Sequence, residues 1–432
     1  MTVAVFLFSL LGAMALGMPI AYALLVCGLA LMSYMAVTGV IPAFDSQILA
    51  QRFVDGADNF PLLAVPFFLL AGEFMNAGGL SRRIVNMAMA WVGHFRGGLG
   101  YVAVMAAIIM ASLSGSAVAD TAALAALLIP MMRNAGYDVG RSAGLIAAGG
   151  IIAPVIPPSI GFIIFGVAAN VSITKLFLAG IVPGIMMGIA IGIAWWWVAR
   201  RDQVKPAPRV GMAGRLQATS DGLLALALPV IIIGGMKFGV FTPTEAAVVA
   251  AVYSFVVGAF VYRELKFSAL YGLILTAGKT TAVVMFLVAA AMVSAWLITV
   301  ANIPAEVAKI MEPFMGNKML LMVMLMLLVV VVGTALDFTP TVLILTPVLM
   351  PLVKQAGIDP VYFGVLFIMN NAIGLITPPV GTVLNVVSGV AKISMDQAFR
   401  GVLPFLLAQL AVLFLLVAFP SLVLVPLKWM LS

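Results

Sequence analysis

The sequence has little charge and few of the side chains that build disulfides or metal centres. Only 9% of its 432 residues are charged, and it has one cysteine and one histidine. Because Cys27 has no second cysteine to pair with, disulfides and cysteine metal sites within the chain are excluded. There is also no P-loop, Rossmann fingerprint or zinc-binding pattern, so energy from ATP would require another subunit.

In place of charge, the chain has long apolar runs. Hydrophobic residues make up 64% of the sequence and the mean hydropathy is +1.23, which predicts an all-α polytopic membrane protein. Residues 1–15 are apolar with no basic start, which favours a first transmembrane segment over a cleaved signal. The predicted spans are 2–16, 19–37, 61–77, 98–111, 142–166, 176–199, 218–237, 243–262, 270–300, 319–332, 361–390 and 401–427.

The net charge of +7 follows from basic residues in short loops, which we interpret as determinants of topology. A polar linker at 200–220 contains Arg200, Arg201, Lys205, Arg209 and Arg215, and it divides the chain near its middle. By the positive-inside rule this linker is cytoplasmic.

The two halves of the chain are internal repeats. An offset of 221 residues pairs Asp138 with Asp359 and pairs two Pro-Pro sequences, Pro157-Pro158 and Pro378-Pro379. We therefore predict a first repeat at 1–199 and a second at 221–432. With the linker inside and an odd number of crossings per half, the repeats have inverted topology and the N-terminus is periplasmic.

Each repeat contains a helix interrupted by proline and glycine. The first, at about 142–166, includes the sequence GGIIAPVIPPSIG, and its partner lies at about 361–390. Proline inside a helix removes a backbone hydrogen bond, and in transporters such breaks hold substrates and ions. A simple proline kink is the alternative interpretation for either stretch.

Each repeat also contains a short, interrupted apolar segment, which we predict to be a re-entrant hairpin. The hairpins lie at about 111–133 and 333–354, and each contains one carboxylate, Asp120 or Asp337. A carboxylate within a membrane is energetically costly and usually functional, although aspartate also caps helices.

Oxygen atoms beside the breaks predict two sodium sites and a substrate site between the hairpin turns. The candidate sodium ligands of repeat one are Ser112, Ser114, Ser116, Gly149, Ala153, Pro154 and Ile156. The candidate sodium ligands of repeat two are Gly333, Asp337, Thr339, Gly374, Ile376 and Thr377. The candidate substrate-binding residues are Asp120, Ser159, Asn170, Asn370, Asn371, Thr382 and Asn385, although small polar side chains also hold membrane helices together.

These motifs resemble a known family. The sequences SLSGSAVADTAA, GGIIAPVIPPSIGFIIFG, FTPTEAAVVAA, DFTPTVLILTPVLMP and LITPPVGTVLNVVSGVAK are similar to those of the large membrane subunit of tripartite ATP-independent periplasmic (TRAP) transporters. The resemblance covers essentially the whole chain, and within the family it is greatest to the large permease of 2,3-diketo-L-gulonate systems.

The resemblance implies a bacterial inner-membrane permease that takes up an organic acid, either a sugar acid or a C4-dicarboxylate, with sodium as the coupling ion. It also implies an elevator mechanism, in which a transport domain holding both hairpins and both broken helices slides past a scaffold. The implied partners are a small four-helix membrane subunit, encoded here as a separate chain, and a periplasmic substrate-binding protein. No organic cofactor is implied.

Two alternatives stay open at this stage. A stand-alone sodium/dicarboxylate symporter of similar design would need no binding protein. An intramembrane hydrolase could use Ser116 with Asp120, but the sequence offers no evident base because the one histidine, His94, lies in a loop.

Overall fold

The protein is built from α-helices joined by short turns. The computed structural model describes residues 2–200, 204 and 206–431, and no β-strand occurs within these residues. The ten helices of the first half are α1 (Thr2–Ala15), α2 (Ile20–Val37), α3 (Ser46–Ala57), α4 (Ala64–Ala77), α5 (Leu80–Val92), α6 (Gly98–Ser114), α7 (Ala117–Asn134), α8 (Val139–Gly150), α9 (Ile160–Ala169) and α10 (Ile173–Ala199).

The described part of the second half also contains ten α-helices. They are α11 (Met212–Lys237), α12 (Pro243–Val256), α13 (Leu270–Val300), α14 (Ile303–Met311), α15 (Lys318–Ala335), α16 (Phe338–Gln355), α17 (Pro360–Gly374), α18 (Thr382–Ala391), α19 (Met395–Ala418) and α20 (Ser421–Leu431). In the described residues, nine helical segments are long and apolar enough to cross a membrane, which confirms the all-α polytopic fold class.

Three predicted boundaries differ from the structure. The predicted span 401–427 is two helices, because the chain leaves helical geometry at Phe419 and Pro420 before α20 begins. Helix α11 begins at Met212, inside the predicted linker 200–220, and residues 201–203 and 205 of that linker lie outside the described residues. The amphipathic helix α5 occupies most of the 78–97 segment, which sequence analysis treated as a loop.

Both hairpins have longer first arms than predicted. Helix α6 continues through residue 111 to Ser114, and α15 continues through residue 333 to Ala335. The apolar runs predicted as separate spans at 98–111 and 319–332 are therefore the first arms of the hairpins. The turns lie at 115–116 and 336–337.

The sequence Ala-Gly-x-Asp occurs in both repeats, at 135–138 and 356–359, and makes the same turn in each. Gly136 and Gly357 have positive φ angles of 89° and 64°. Each glycine follows the last turn of a hairpin's second arm, where this left-handed conformation ends the helix. Two residues later, Asp138 and Asp359 accept hydrogen bonds from backbone N–H groups at the start of α8 and α17. A glycine stop and an aspartate cap thus connect each hairpin to its broken helix.

We divide the helices into two groups, which also pack against each other where α5 meets α6 and α13 meets α16. The flanking group comprises α1–α5 and α11–α14, in which α12 packs against α4, α11 against α5, and α13 against α2 and α3. The hairpin group comprises α6–α10 and α15–α20. Within it α9 packs against α16 and α18 against α7, so the half-helix that follows each break contacts the hairpin of the other repeat.

The closest helix crossing in the hairpin group joins α8 to α19. A Cβ atom on Gly144 would overlap the backbone of Gly401, and a Cβ atom on Gly401 would overlap the carbonyl group of Gly140. Small residues let membrane helices approach until their backbones touch. The Gly140-x-x-x-Gly144 spacing therefore sets how closely the repeats pack.

We predict that Gly144→Val lowers the thermal unfolding midpoint of the detergent-solubilised protein. The added side chain has no space, and overpacking of this kind costs about 1–3 kcal/mol or more. Gly278→Val is the matched control, because nothing lies within 4 Å of the Cβ position of Gly278 on α13. Equal unfolding midpoints for the two variants would contradict the close crossing.

Candidate functional site

The first break lies between α8 and α9, where residues 151–158 form buried turns containing three prolines. Ser159 caps α9 by accepting a hydrogen bond from the Phe162 N–H (3.1 Å), and its hydroxyl donates to the Pro154 carbonyl (2.5 Å). These two bonds connect the break to the restarted helix. The hydroxyl that sequence analysis assigned to substrate therefore has structural partners within its own segment.

The tip of the first hairpin contacts this break. Gly115 has a φ angle of 63°, and a Cβ atom on it would overlap the carbonyl oxygen of Pro158. Glycine is therefore required there by the left-handed backbone and by the close approach. Ser116 follows and caps α7 through the Ala119 N–H (3.4 Å).

Asp120 lies in the first turn of α7 and is buried, with 2% of its surface exposed. Its Oδ1 accepts a hydrogen bond from the Ser114 hydroxyl (2.5 Å), and its Oδ2 has no hydrogen-bond partner. The Ser112 hydroxyl donates to the Ile109 carbonyl (2.6 Å). Of the three serines predicted as sodium ligands, Ser114 is the one that contacts the buried carboxylate.

The second break, residues 375–381 between α17 and α18, contacts the tip of the second hairpin. A Cβ atom on Gly374 would lie 2.7 Å from the Gly333 carbonyl oxygen, so the two backbones touch. The Thr382 hydroxyl donates to Asp337 Oδ1 (3.2 Å) and the Val380 N–H donates to the Thr334 carbonyl (3.3 Å). The predicted residues Gly333, Asp337, Gly374 and Thr382 are thus brought together.

Two neighbouring buried asparagines point in different directions from α17, and Asn371 is the one whose amide oxygen lies beside Gly333 at this junction. Asn371 donates its Nδ2 hydrogen to the Phe338 carbonyl (2.7 Å), and Asn370 donates to the Met326 carbonyl (2.7 Å). Both side chains are buried, and each retains an Oδ1 with no hydrogen-bond partner. Buried acceptors without partners are rare in folded proteins, and a cation is one group that satisfies them.

The oxygen set at the second junction fits sodium. It includes the Asp337 carboxylate, the Asn371 amide oxygen and the Gly333 carbonyl, and hard cations favour such ligands. The Gly374 carbonyl already accepts a hydrogen bond from the Thr377 N–H (3.0 Å). Among the described residues, no group of three His, Cys, Asp or Glu side chains is placed to hold a metal. A cation held here would therefore bind mainly to backbone and amide oxygens.

The remaining predicted residues occupy several environments. Asn170 is exposed and caps the end of α9 distant from the break, about 15 Å along the helix, so the structure does not bring it to the junction. Asn385 is exposed and donates to the Val380 carbonyl (2.7 Å), and Thr377 donates to the Ile373 carbonyl (2.9 Å). Gly149, Ala153, Ile156 and Ile376 are buried in or beside the breaks, and Thr339 is partly buried in the first turn of α16.

The two junctions meet across the repeats. The Phe338 ring, at the start of α16, contacts the Cα region of Gly161 on α9, where a Cβ atom would lie 2.6 Å from the ring. Sequence analysis did not identify Phe338. Gly161 lies in the sequence GGIIAPVIPPSIG, which sequence analysis identified as a helix break. Nothing in that sequence indicates that an aromatic ring from the second repeat packs against it.

A cavity of about 600 Å³ separates α7 from the flanking group. It is lined by both apolar and polar residues, including Asn76, Ser81, Arg82 and Glu264, and Glu264 forms ion pairs with Arg82 (2.8 Å) and Arg83 (2.7 Å). Asn76 and Ser81 also line a smaller space beside Asp120, with room for about one water molecule. Polar groups thus extend from the open cavity to the buried carboxylate, and sequence analysis missed Asn76 and Ser81.

Comparison with known proteins gives the family. Residues 7–422 match the family model described as "Tripartite ATP-independent periplasmic transporter, DctM component". The chain is 58% identical over 429 residues to the 2,3-diketo-L-gulonate TRAP transporter large permease protein YiaN of Escherichia coli, covering 99% of this chain and 100% of that protein. It is 38% identical to the sialic acid TRAP transporter large permease protein SiaM of Vibrio cholerae, covering 96% of each.

A solved structure shows the same fold at low sequence identity. The YdaH transporter of Alcanivorax borkumensis, described as having an unusual topology, superposes with a TM-score of 0.64 over 89% of this chain and 88% of that chain, at 17% identity. The relatives are named as transporter permeases and not as enzymes. The chain therefore belongs to the DctM family, the large membrane subunits of TRAP transporters.

Proposed function

We propose that this protein takes up an organic acid across the bacterial inner membrane, coupled to sodium, as the large permease of a TRAP transporter. The observation that carries this proposal is the junction of Gly333, Asp337, Asn371 and Gly374, where a hairpin meets a broken helix and the buried amide oxygen of Asn371 has no protein partner. Such breaks hold coupling ions in secondary transporters. The Asp120 junction is the second proposed ion site.

The relatives support an acid as substrate. They are named for 2,3-diketo-L-gulonate, sialic acid and, in Pseudomonas aeruginosa, C4-dicarboxylates. Helices α7, α9, α16 and α18 all begin at the hairpin turns or the breaks, and helix N-termini favour negative charge. The relative at 58% identity is named for a sugar acid, so a sugar acid is our first choice of substrate.

Two partner proteins complete the proposed transporter. A TRAP large permease works with a small membrane subunit and a periplasmic binding protein, and we propose both for this chain. A relative from Oleidesulfovibrio alaskensis, the isethionate TRAP transporter permease protein DctMQ, is longer, and the match covers 64% of it.

We further propose an elevator mechanism, with the hairpin group as the transport domain and the flanking group as the scaffold. The cavity between α7 and the flanking group supports this division, because it separates a hairpin from the helices it would slide against. Arg96 donates to the Arg200 carbonyl (2.8 Å), so two basic residues meet on the side of the protein where the predicted linker begins. We assign that side to the cytoplasm, which makes the N-terminus periplasmic.

We predict that uptake requires an inward sodium gradient. Proteoliposomes containing this chain and its small subunit, supplied with the binding protein and labelled 2,3-diketo-L-gulonate, should accumulate substrate with sodium outside and only background amounts with potassium. Equal uptake in the two salts would refute sodium coupling. Full uptake by this chain alone would instead support a stand-alone symporter.

We predict that Asp337→Ala abolishes uptake without preventing expression, because the junction loses its carboxylate and the acceptor for the Thr382 hydroxyl. Asp396→Ala is the matched control, since Asp396 is an exposed carboxylate paired with Arg400 (3.0 Å) in the first turn of α19. Uptake rates at varied sodium concentrations measure the effect. An Asp337→Ala variant with unchanged sodium dependence would remove this residue from the proposed ion site.

We predict that Gly374→Ala reduces the apparent sodium affinity by on the order of tenfold, equivalent to about 1.4 kcal/mol. The added methyl group would lie 2.7 Å from the Gly333 carbonyl oxygen and would separate the hairpin tip from the break. Gly389→Ala is the control, because its Cβ position on α18 has open space. The idea fails if both variants show the sodium dependence of the unmodified protein.

A further inference from the structure

A groove of about 760 Å³ lies on the side of the hairpin group, between α6 and α10, away from both junctions. Its walls are mostly apolar and include Met105, Ile108 and Ile189, and Ile189 is 56% exposed. Two glycines of α10, Gly188 and Gly192, also line it. The Ile108 side chain occupies the space beside Gly188, whereas nothing lies within 4 Å of the Cβ position of Gly192, so the groove is open at Gly192.

One end of the groove is polar and positively charged. Arg96 is the only charged residue among the described residues that line the groove, and its guanidinium donates to the Arg200 carbonyl (2.8 Å). The Arg200 guanidinium lies 3.3 Å from the centroid of the Trp196 ring. Two arginines thus lie beside an aromatic residue, as at the membrane–water interface.

This polar end is rigid. The Trp195 indole N–H donates to the Gly97 carbonyl (2.8 Å), and its ring fills the space that a Cβ atom on Gly100 would occupy. Gly97 has a φ angle of 75°, so glycine is favoured at the start of α6. The segment that carries Arg96 is therefore held against α10 before any ligand arrives.

The equivalent groove of the second repeat has different chemistry. The 221-residue offset pairs Tyr101 with Met322 and Trp196 with Val417, and each residue lines the groove of its own repeat. The second groove is smaller, about 350 Å³, and Asp359 lines it together with a lysine. Tyr362 also lines the second groove, but among the described lining residues arginine and tryptophan occur together in the first groove and not in the second.

We propose that the first groove binds an anionic phospholipid of the cytoplasmic leaflet. One acyl chain would lie along Met105, Ile108 and Gly192, and the headgroup phosphate would lie at Arg96 and Arg200. Basic pockets between membrane helices on the cytoplasmic side recognise such headgroups, and aromatic residues mark the same depth. A lipid seated there contacts both a hairpin arm and α10, so it stabilises their packing whatever substrate the protein carries.

Native mass spectrometry of the delipidated full chain tests the proposal, with phosphatidylglycerol and phosphatidylcholine of identical acyl chains as probes. We expect the unmodified protein to bind phosphatidylglycerol in preference. Arg96→Gln should weaken phosphatidylglycerol binding about fivefold and leave phosphatidylcholine binding unchanged, since one arginine is lost from the headgroup end.

Gly192→Leu fills the groove and should reduce the binding of both lipids. The matched control is Gly234→Leu on α11, because both glycines are partly buried within apolar helices and neither has an atom within 4 Å of its Cβ position. Equal thermal unfolding midpoints would show that both variants fold.

Three results would overturn the proposal. The first is equal binding of the two lipids by the unmodified protein, and the second is a Gly192→Leu variant that binds lipid as Gly234→Leu does. The third is specific crosslinking of Gly192→Cys to the co-expressed small subunit, because the groove would then be a protein interface. Cys27, the native cysteine, is buried and does not compete in that reaction.

Discussion

Backbone N–H and C=O groups in an apolar environment must find partners, and in this protein that constraint is most severe at the two broken helices. Proline removes donors there, and the freed carbonyls lie deep in the helical bundle. Each break contacts a hairpin, at the tip residue Gly115 in the first repeat and at Gly333, in the last turn before the tip, in the second. A hairpin and a break therefore form one unit, and at the second junction the Asn371 amide oxygen remains without a partner.

Neither repeat completes this arrangement alone. The half-helix α9 packs on α16 and the half-helix α18 packs on α7, so each repeat supplies a surface that the other buries. The two hairpins have similar backbones but different side chains. Asp337 of the second hairpin corresponds to Ser116 of the first, and Asp120 of the first corresponds to Thr341 of the second. The repeats thus give two junctions of similar shape with different ligand sets.

The two lateral grooves follow the same principle. The hairpin arm and the long helix after each break leave a channel in both halves, but only the channel along α10 combines arginine with interfacial aromatics. The internal repeat explains why each half has a lateral groove, and differences between the lining side chains explain what each groove can bind. Glycines contribute to packing and to the groove, since Gly144 and Gly401 set the close α8–α19 crossing and Gly192 leaves open space in the first groove.

The sequence by itself determined the apolar helices, the repeat offset, the proline breaks and the hairpins, because these follow from composition and local backbone chemistry. Only the tertiary structure decided which polar atoms are already bonded: Ser159 bonds Pro154, Asn170 lies exposed at the distant end of α9, and Asn371 bonds Phe338 while keeping a free oxygen. Hydrogen-bond partners depend on groups that meet through folding, often from distant segments, so no local pattern could have identified them.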